Sequence, residues 1–327
     1  MRSARAIAHS NVALAKYWGK RDERLVLPET GSISITLDAL WTEASVRFGE
    51  GDGPDLIEVG GAPAGPSDGR RTLRVLDLVR SMAGFSGTAE VHCWGNLPLG
   101  AGLGSSAAGF AAIATAASAA LGLRLTEAEV SALARQGSGS ACRSVPGGFA
   151  EWLCGRAPDG SDSYAVRLFG PEHWDLRVVI AIVNSGRKEV SSRLGMRRTA
   201  ESSVFYDAWR LSVERELREV RQALADRDLT RLGEAAERSA MRMHATTLGA
   251  DPPFSYWLPA TLAVLSRVRV LRRGGTEAYA TIDAGPNVKV LCRPQEVGVV
   301  EAALRDVQGV EDVLTSGPGP AARVLPA

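Results

Sequence analysis

Nine residues, Gly100-Ala101-Gly102-Leu103-Gly104-Ser105-Ser106-Ala107-Ala108, form a glycine-rich run that opens directly into an alanine-rich stretch. Glycines let backbone N–H groups approach an anion, serines add hydroxyls, and a helix N-terminus contributes the positive end of its dipole. The run therefore reads as a phosphate cradle. It is not a P-loop, because no Gly-Lys-Ser/Thr follows. It is not the dinucleotide fingerprint either, because its spacing is GxGxG and no acidic residue ends a second strand about 20 residues on. A second small-residue run, Gly137-Ser138-Gly139-Ser140-Ala141-Cys142-Arg143-Ser144, leads to Arg143, whose guanidinium can bind a carboxylate or phosphate through two parallel hydrogen bonds. Such glycine-serine runs also simply cap helices, and both readings stand at this point.

Two further clusters carry charge. Ser10 to Asp22 gathers Asn11, Lys16, Tyr17, Lys20 and Arg21, a set suited to a polyanionic small molecule. Thr281-Ile282-Asp283-Ala284-Gly285-Pro286-Asn287 places a carboxylate where a strand runs into a Gly-Pro turn. A lone aspartate there is ordinarily a turn or cap residue. Lysine usage adds a separate signal: Lys16, Lys20, Lys188 and Lys289 are the four lysines among 38 basic residues. Lys16 and Lys20 stand four apart, where a compact ammonium rather than a planar guanidinium is called for.

The elements that must position these residues follow from composition and periodicity. A chain of 327 residues, 45% of them hydrophobic, exceeds the size at which one core usually keeps growing, so two domains are expected. With 38 basic and 37 acidic residues, net +1, no global field exists to hold nucleic acid or an anionic membrane. No apolar run reaches the roughly 20 residues of a membrane helix, and the N-terminus has no secretory pattern, so a cytoplasmic protein is expected. Cys93, Cys142, Cys154 and Cys292 show no CxxC pairing, which argues for reduced thiols and against a structural zinc site.

Alternation predicts strands at Ala44–Phe48 and Ala89–Cys93 with a helix from Gly69 to Met82 between them. Ser105 to Leu121 reads as a buried helix, and Thr126 with Glu129 as a capping box for a helix ending near Gln136. Gly147–Leu153 and Arg177–Val183 read as strands. Long helices are expected at Glu201–Ala225, Leu229–Thr246 and Ser255–Arg272, followed by strands at Glu277–Ile282 and Val288–Cys292, a helix near Glu296–Val307 and a closing strand at Ala322–Leu325. The shift from strand-rich to helix-rich sequence puts a domain boundary near Asp175, giving units 1–175 and 176–327.

Taken together and in order, Lys16-Tyr17-Trp18-Gly19-Lys20-Arg21-Asp22, Ser32 to Leu37, Gly102 to Gly109, Gly137 to Ser144 with Gly147-Gly148-Phe149, and Asp283 to Asn287 resemble the GHMP kinase superfamily. Within it they resemble the diphosphomevalonate decarboxylase branch. The lysine-tyrosine-tryptophan run and the Gly-Ser-Gly-Ser-Ala-Cys-Arg-Ser run are specific to that branch, and the Gly-Leu-Gly-Ser-Ser loop is shared by the superfamily. Two departures stand out: Thr30-Gly31-Ser32-Ile33-Ser34 replaces the family's Asn-Ser-Ser-Ile-Ser, and Leu99-Gly100-Ala101-Gly102 replaces Thr-Ala-Ala-Gly.

The resemblance implies a two-domain α+β GHMP kinase fold, with a ribosomal-protein-S5-like N-terminal domain, a helix-rich C-terminal α/β sandwich and the active site in the cleft between them. It implies ATP with Mg²⁺, ATP-dependent decarboxylation of (R)-5-diphosphomevalonate to isopentenyl diphosphate, and a homodimer. By position, Asp283 would orient or deprotonate the tertiary hydroxyl, Lys16 would be its charged neighbour, and Arg143 would bind the substrate carboxylate with Ser138 and Ser140 nearby. Gly102, Gly104, Ser105 and Ser106 would hold the nucleotide phosphates, with Asn96 touching the nucleotide. Tyr17, Lys20, Arg71, Ser192 and Arg193 would hold the diphosphate tail. The number of tail phosphates stays open, so a 5-phosphomevalonate decarboxylase or a mevalonate-type kinase is the alternative, and a non-catalytic nucleotide-binding homologue the remote one.

Overall fold

The computed structural model describes residues 2–96, 104–186 and 188–326. Gly100 to Leu103, including Gly102, lie outside the described residues. The chain begins with β1 (Ser3–Ala15), the short pair β2 (Lys20–Asp22) and β3 (Leu27–Pro28), and the long β4 (Ser32–Gly49). A small hairpin, β5 (Leu56–Val59) and β6 (Ala62–Pro63), leads into helix α1 (Pro66–Ala83) and strand β7 (Thr88–Gly95). Helices α2 (Ser105–Ala120) and α3 (Glu127–Gly137) follow, then a 3₁₀ turn at Gly139–Ser144 and strands β8 (Phe149–Trp152) and β9 (Ala165–Phe169).

The second half starts with β10 (Arg177–Ile182) and continues through helices α4 (Ser192–Ser202), α5 (Tyr206–Asp226), α6 (Leu229–Leu248) and α7 (Pro259–Arg273). It closes with β11 (Ala278–Ile282), β12 (Val288–Cys292), α8 (Val297–Arg305), β13 (Asp312–Ser316) and β14 (Arg323–Leu325).

Among the described residues, one sheet runs β14-β1-β4-β7-β5-β6, with β8 and β9 attached through β4. A second, four-stranded sheet runs β11-β12-β10-β13, and β2 pairs with β3 separately. The last strand thus returns to the first sheet, with Ala6 opposite Val324. Four apolar clusters result among the described residues, the smallest being Cys142, Trp152 and Ala165. Val46, Val91, Leu76 and Val79 pack beneath the alanines of α2, and small side chains there let that helix lie close to β1 and β4. Val178, Ile180 and Leu291 face α5, α6 and the β1/β4 region, whereas Val179, Val288 and Val290 on the other face of the second sheet pack against α7 and α8. This second sheet is therefore covered on both faces.

The structure departs from the sequence expectations in two places that matter for the site. Ser3–Ala15 forms a strand for which no alternation was legible, because most of its residues on both faces are buried. The single helix expected from Glu201 is two: α4 begins earlier, capped by the Ser191 side chain on the Leu194 N–H, and the chain turns extended at Ser203 before α5. The Thr126–Glu129 capping box is present.

Candidate active site

Asp283 sits at the end of β11, where the Gly285 N–H closes back on the Asp283 carbonyl at 2.7 Å. Its carboxylate lies over two lysines. Lys16 Nζ, just past the end of β1, donates to Asp283 Oδ1 at 2.7 Å and to the Ala13 carbonyl at 2.7 Å. Lys289 Nζ, on β12, stands 3.5 Å from Oδ2. Both lysine side chains are 1% exposed, against 26% for Asp283, so the carboxylate presents an open edge while its cations are enclosed. Burying an unpaired ammonium costs several kcal/mol, and the ion pairs account for its tolerance here.

Burial pushes the Asp283 carboxyl upward, but the charges of Lys16 and Lys289 outweigh it and hold it well below the usual carboxylate range. Burial lowers Lys16 to about 8 against the opposing pull of Asp283. Beside them Lys188 donates to the Ala284 carbonyl at 2.5 Å and to Ser192 Oγ at 2.8 Å, and burial followed by Lys289 lowers it to about 8. His244, on α6, is pushed down to about 3 by burial and then by Lys16, so it is neutral.

The second small-residue run closes the site from the first domain. Arg143 is 3% exposed, with Nη1 donating to Ser32 Oγ at 2.5 Å and Nη2 to Asn11 Oδ1 at 3.1 Å. The Asn11 amide in turn donates to the Ser140 carbonyl at 3.0 Å and to Ser144 Oγ at 2.7 Å, fixing the turn that carries the guanidinium. A side chain at Gly139 would meet the Tyr17 hydroxyl at 2.7 Å, so glycine is what lets Tyr17 close against this turn. Ser138 Oγ lies 3.3 Å from Ser106 Oγ, which joins the turn to the start of α2.

Gly104, the N-cap of α2, adopts φ +79°, and a Cβ there would meet Ser10 Oγ at 2.2 Å. Among the described residues no side chain caps that helix, and an uncapped helix N-terminus suits an anion.

Of the residues expected at the substrate tail, Ser192 accepts from Lys188 beside the Asp283 turn. Lys20 Nζ pairs with Glu23 at 2.7 Å. Arg71 pairs with Asp68, donates to the Gly137 carbonyl at 3.2 Å and stacks on Phe110, 4.6 Å from the ring centroid. Arg193 stands exposed in the first turn of α4 and exerts its positive field on Lys20, Arg71 and Tyr17. Asn96 is placed differently: both ends of its amide pair with β4 backbone, at the Trp41 N–H (2.9 Å) and the Ala39 carbonyl (2.7 Å).

The residues present suit an anionic ligand. Among the described residues the Tyr17 hydroxyl, Arg71 Nε and Arg143 Nε are buried donors without a protein acceptor, and such groups are costly to leave unsatisfied. The sequence singles out Asn11 only as a member of the Ser10–Asp22 cluster and does not single out Lys188 or Lys289 as site residues. The scarcity of lysine is the signal that could have found those two.

Comparison with known proteins agrees over nearly the whole chain. Residues 8–165 match the family model described as diphosphomevalonate decarboxylase-like N-terminal domain, and 178–317 match the mevalonate 5-diphosphate decarboxylase C-terminal domain. The chain is 34% identical to diphosphomevalonate decarboxylase of Ganoderma lucidum over 90% of this chain and 78% of the relative. It is 35% identical to that of Bos taurus with the same coverage.

Among solved structures, mevalonate diphosphate decarboxylase from Staphylococcus aureus superposes with a TM-score of 0.93 at 37% identity, covering 99% and 98% of the two chains. A structure described as MDDEF in complex with MVAPP, AMPPCP and magnesium gives 0.92 at 40% identity and 99% coverage of both chains. With both halves matched in order and with the α+β GHMP kinase fold, this chain belongs to the diphosphomevalonate decarboxylase family.

Proposed function

We propose that this protein catalyses the ATP-dependent decarboxylation of (R)-5-diphosphomevalonate to isopentenyl diphosphate, ADP, phosphate and carbon dioxide. The observation that carries the reading is the half-open Asp283 carboxylate, fixed over Lys16 and Lys289, in a structure that also holds Arg143 and the uncapped start of α2. A tertiary hydroxyl is a poor leaving group. Phosphorylation converts it into a good one, loss of that phosphate leaves positive character at carbon, and the electrons of the departing carboxylate quench it as the double bond forms.

Asp283 faces the hydroxyl as an acceptor. Because its pKa is held low, it is a weak base at neutral pH. It therefore aligns the oxygen and takes up its proton only as the new O–P bond develops. Lys16 stabilises charge on that carboxylate and on the transferring phosphoryl group, the kind of electrostatic contribution that dominates phosphoryl transfer. Arg143 holds the substrate carboxylate in place for loss of carbon dioxide. Gly104, Ser105, Ser106 and the N–H groups of α2 would hold the nucleotide phosphates, whose charge Mg²⁺ partly neutralises when bound. Tyr17, Lys20, Arg71, Ser192 and Arg193 anchor the tail, and Ser138 and Ser140 line the turn beside it. For Asn96 the pairing with β4 supports a structural tie more directly than a nucleotide contact.

The test is purified protein with ATP, Mg²⁺ and diphosphomevalonate, following ADP, carbon dioxide and isopentenyl diphosphate. ADP without carbon dioxide overturns the decarboxylase reading in favour of a kinase, and preference for 5-phosphomevalonate in the same assay overturns the substrate. The family resemblance further supports a homodimer acting in the cytoplasm, with units 1–175 and 176–327. Among the described residues no helix is long and apolar enough to cross a membrane. A monomeric mass by light scattering overturns the dimer.

A further inference from the structure

Three of the four lysines in this arginine-rich chain converge on one point. Lys16 and Lys289 flank the Asp283 carboxylate, and Lys188 holds the adjoining Ala284 carbonyl. Lys16 and Lys188 reach it from chain segments outside the sheet. Lys289 comes from inside the sheet, on a strand flanked by β11 and β10, with Thr281 and Ile180 as its ladder partners. Its neighbours Val288 and Val290 point into the cluster beneath α7 and α8, while Leu291 on its own face joins the opposite cluster. A position like this favours an apolar side chain, since a buried ammonium costs several kcal/mol unless compensated. The compensation visible here is Asp283 Oδ2 at 3.5 Å and the Asn287 carbonyl at 3.3 Å.

We propose that Lys289 is a positioning residue of the reaction: from the sheet interior it ties Asp283 Oδ2 while Lys16 ties Oδ1, so that the carboxylate cannot swing. The role rests on the reading of Asp283 as the group that faces the reacting hydroxyl. Lys16 alone would leave a carboxylate pivoting about one contact. With Lys289 the two oxygens are tied to segments from the two halves of the molecule, and the remaining lone pairs point in one direction. A guanidinium at this position would bring extra N–H donors into a dry sheet interior that offers few acceptors, whereas an ammonium is compact.

The charged and titratable groups around Asp283 are Lys16 at the end of β1, Lys289 on β12, Arg143 on the 3₁₀ turn, His244 on α6 and Lys188 ahead of α4. Of these, His244 is neutral throughout the working range, and Lys16 and Lys188 titrate on the basic side. Asp283 is thus the group in this cluster whose titration shapes the acid side. Removing a cation beside it raises its pKa, so activity is lost at higher pH as acid is added.

The experiment compares wild type, Lys289→Met and Lys289→Gln in the 327-residue protein, recording kcat and KM across pH with the same substrates. Nucleotide affinity and melting temperature serve as folding checks. The expected result for Lys289→Met is kcat lower by about 10- to 100-fold, KM for the mevalonate substrate within about threefold, and an acid limb of the kcat profile displaced to higher pH. Unchanged kcat with an unmoved acid limb overturns the proposal. So does a fall in kcat with an unmoved acid limb, which is what repacking of the strand alone produces. Should Lys289→Met fail to fold, Lys289→Gln decides: neutral but able to keep a hydrogen bond, it too should displace the acid limb to higher pH, and an unmoved limb overturns the proposal. ADP and carbon dioxide are followed separately. Wild type forming ADP without carbon dioxide defeats the decarboxylase reading and leaves the Lys289 comparison standing on ADP release.

Discussion

The site has two positively charged regions built on opposite plans. Around Asp283 the cations are lysines, enclosed and matched to one carboxylate through short contacts. Around Tyr17 they are mainly arginines, represented by Arg71 and Arg193, of which Arg193 is exposed and faces other cations. The difference separates two tasks. Fixing a reacting group needs short, dry, geometrically exact interactions, which a buried ion pair supplies at a desolvation cost. Capturing a multiply charged tail needs reach and summed field, which long surface side chains supply and salt screens. Reaction and recognition should therefore respond differently to mutation, pH and ionic strength.

The comparison breaks first at Asp283. Asp283→Asn keeps size and leaves the lysines in place but removes the charge they hold. Turnover should fall by about 10³- to 10⁴-fold, while the affinity for nucleotide and substrate, measured by equilibrium titration, stays near wild type. Near wild-type turnover would place the chemistry elsewhere. Arg143→Gln comes next, because the guanidinium is tied by Ser32 and Asn11 and belongs to the buried plan although its proposed partner is the substrate carboxylate. A loss of about 10²-fold in kcat/KM is expected, shared between kcat and KM, since the group it holds also reacts. An effect confined to ATP affinity would remove Arg143 from the substrate side.

pH sharpens the contrast. The pKa of Lys16 is lowered to about 8 by burial, so in the free enzyme its proton leaves as pH rises through about 8, and with it the charge that steadies Asp283. The kcat/KM profile should therefore fall above about pH 8, by about tenfold per unit once the limb is fully developed. Bound polyanionic substrates favour the protonated ammonium, so the corresponding limb of kcat should lie at higher pH. Coincident limbs in the two profiles would mean that the titrating lysine does not sense the ligands.

These two plans were unequally legible in the sequence. Lys16 and Asp283 lie 267 positions apart. No periodicity connects them, and only the family resemblance carried by the ordered motifs implied a meeting. Arg143 was legible as a residue on a small-residue turn, but Asn11 was legible only as a member of the Ser10–Asp22 cluster and not as the residue that fixes that turn. Lys289 was hidden inside a correctly read strand, Val288–Cys292, because alternation is blind to a charge buried in a doubly covered sheet. Helix α2 and the capped start of α3 were readable because their signals are local: alanine-rich helical spacing in one, Thr126 with Glu129 in the other. The start of α4, which carries Ser192 and Arg193, was missed because its residues are polar and Gly195 interrupts the pattern.

The smallest expected effect lies at the rim. Arg193→Gln removes one charge from a set in which Lys20, Arg71 and Arg193 act on the same region. An exposed ion pair contributes at most about 1 kcal/mol, so KM for the mevalonate substrate should rise by roughly two- to fivefold, with kcat unchanged because the reacting groups are untouched. The decisive control is ionic strength. Between low and high salt the difference in KM between Arg193→Gln and wild type should shrink, since the Debye length falls from about 30 Å at 0.01 M to about 3 Å at 1 M. The kcat deficit of Asp283→Asn should not change over the same range, because Lys16 and Lys289 are shielded from mobile ions. A salt-independent Arg193 effect would mean that this arginine acts through fixed contacts of the buried kind, and the division between a reacting and a capturing region would fail at its outer edge.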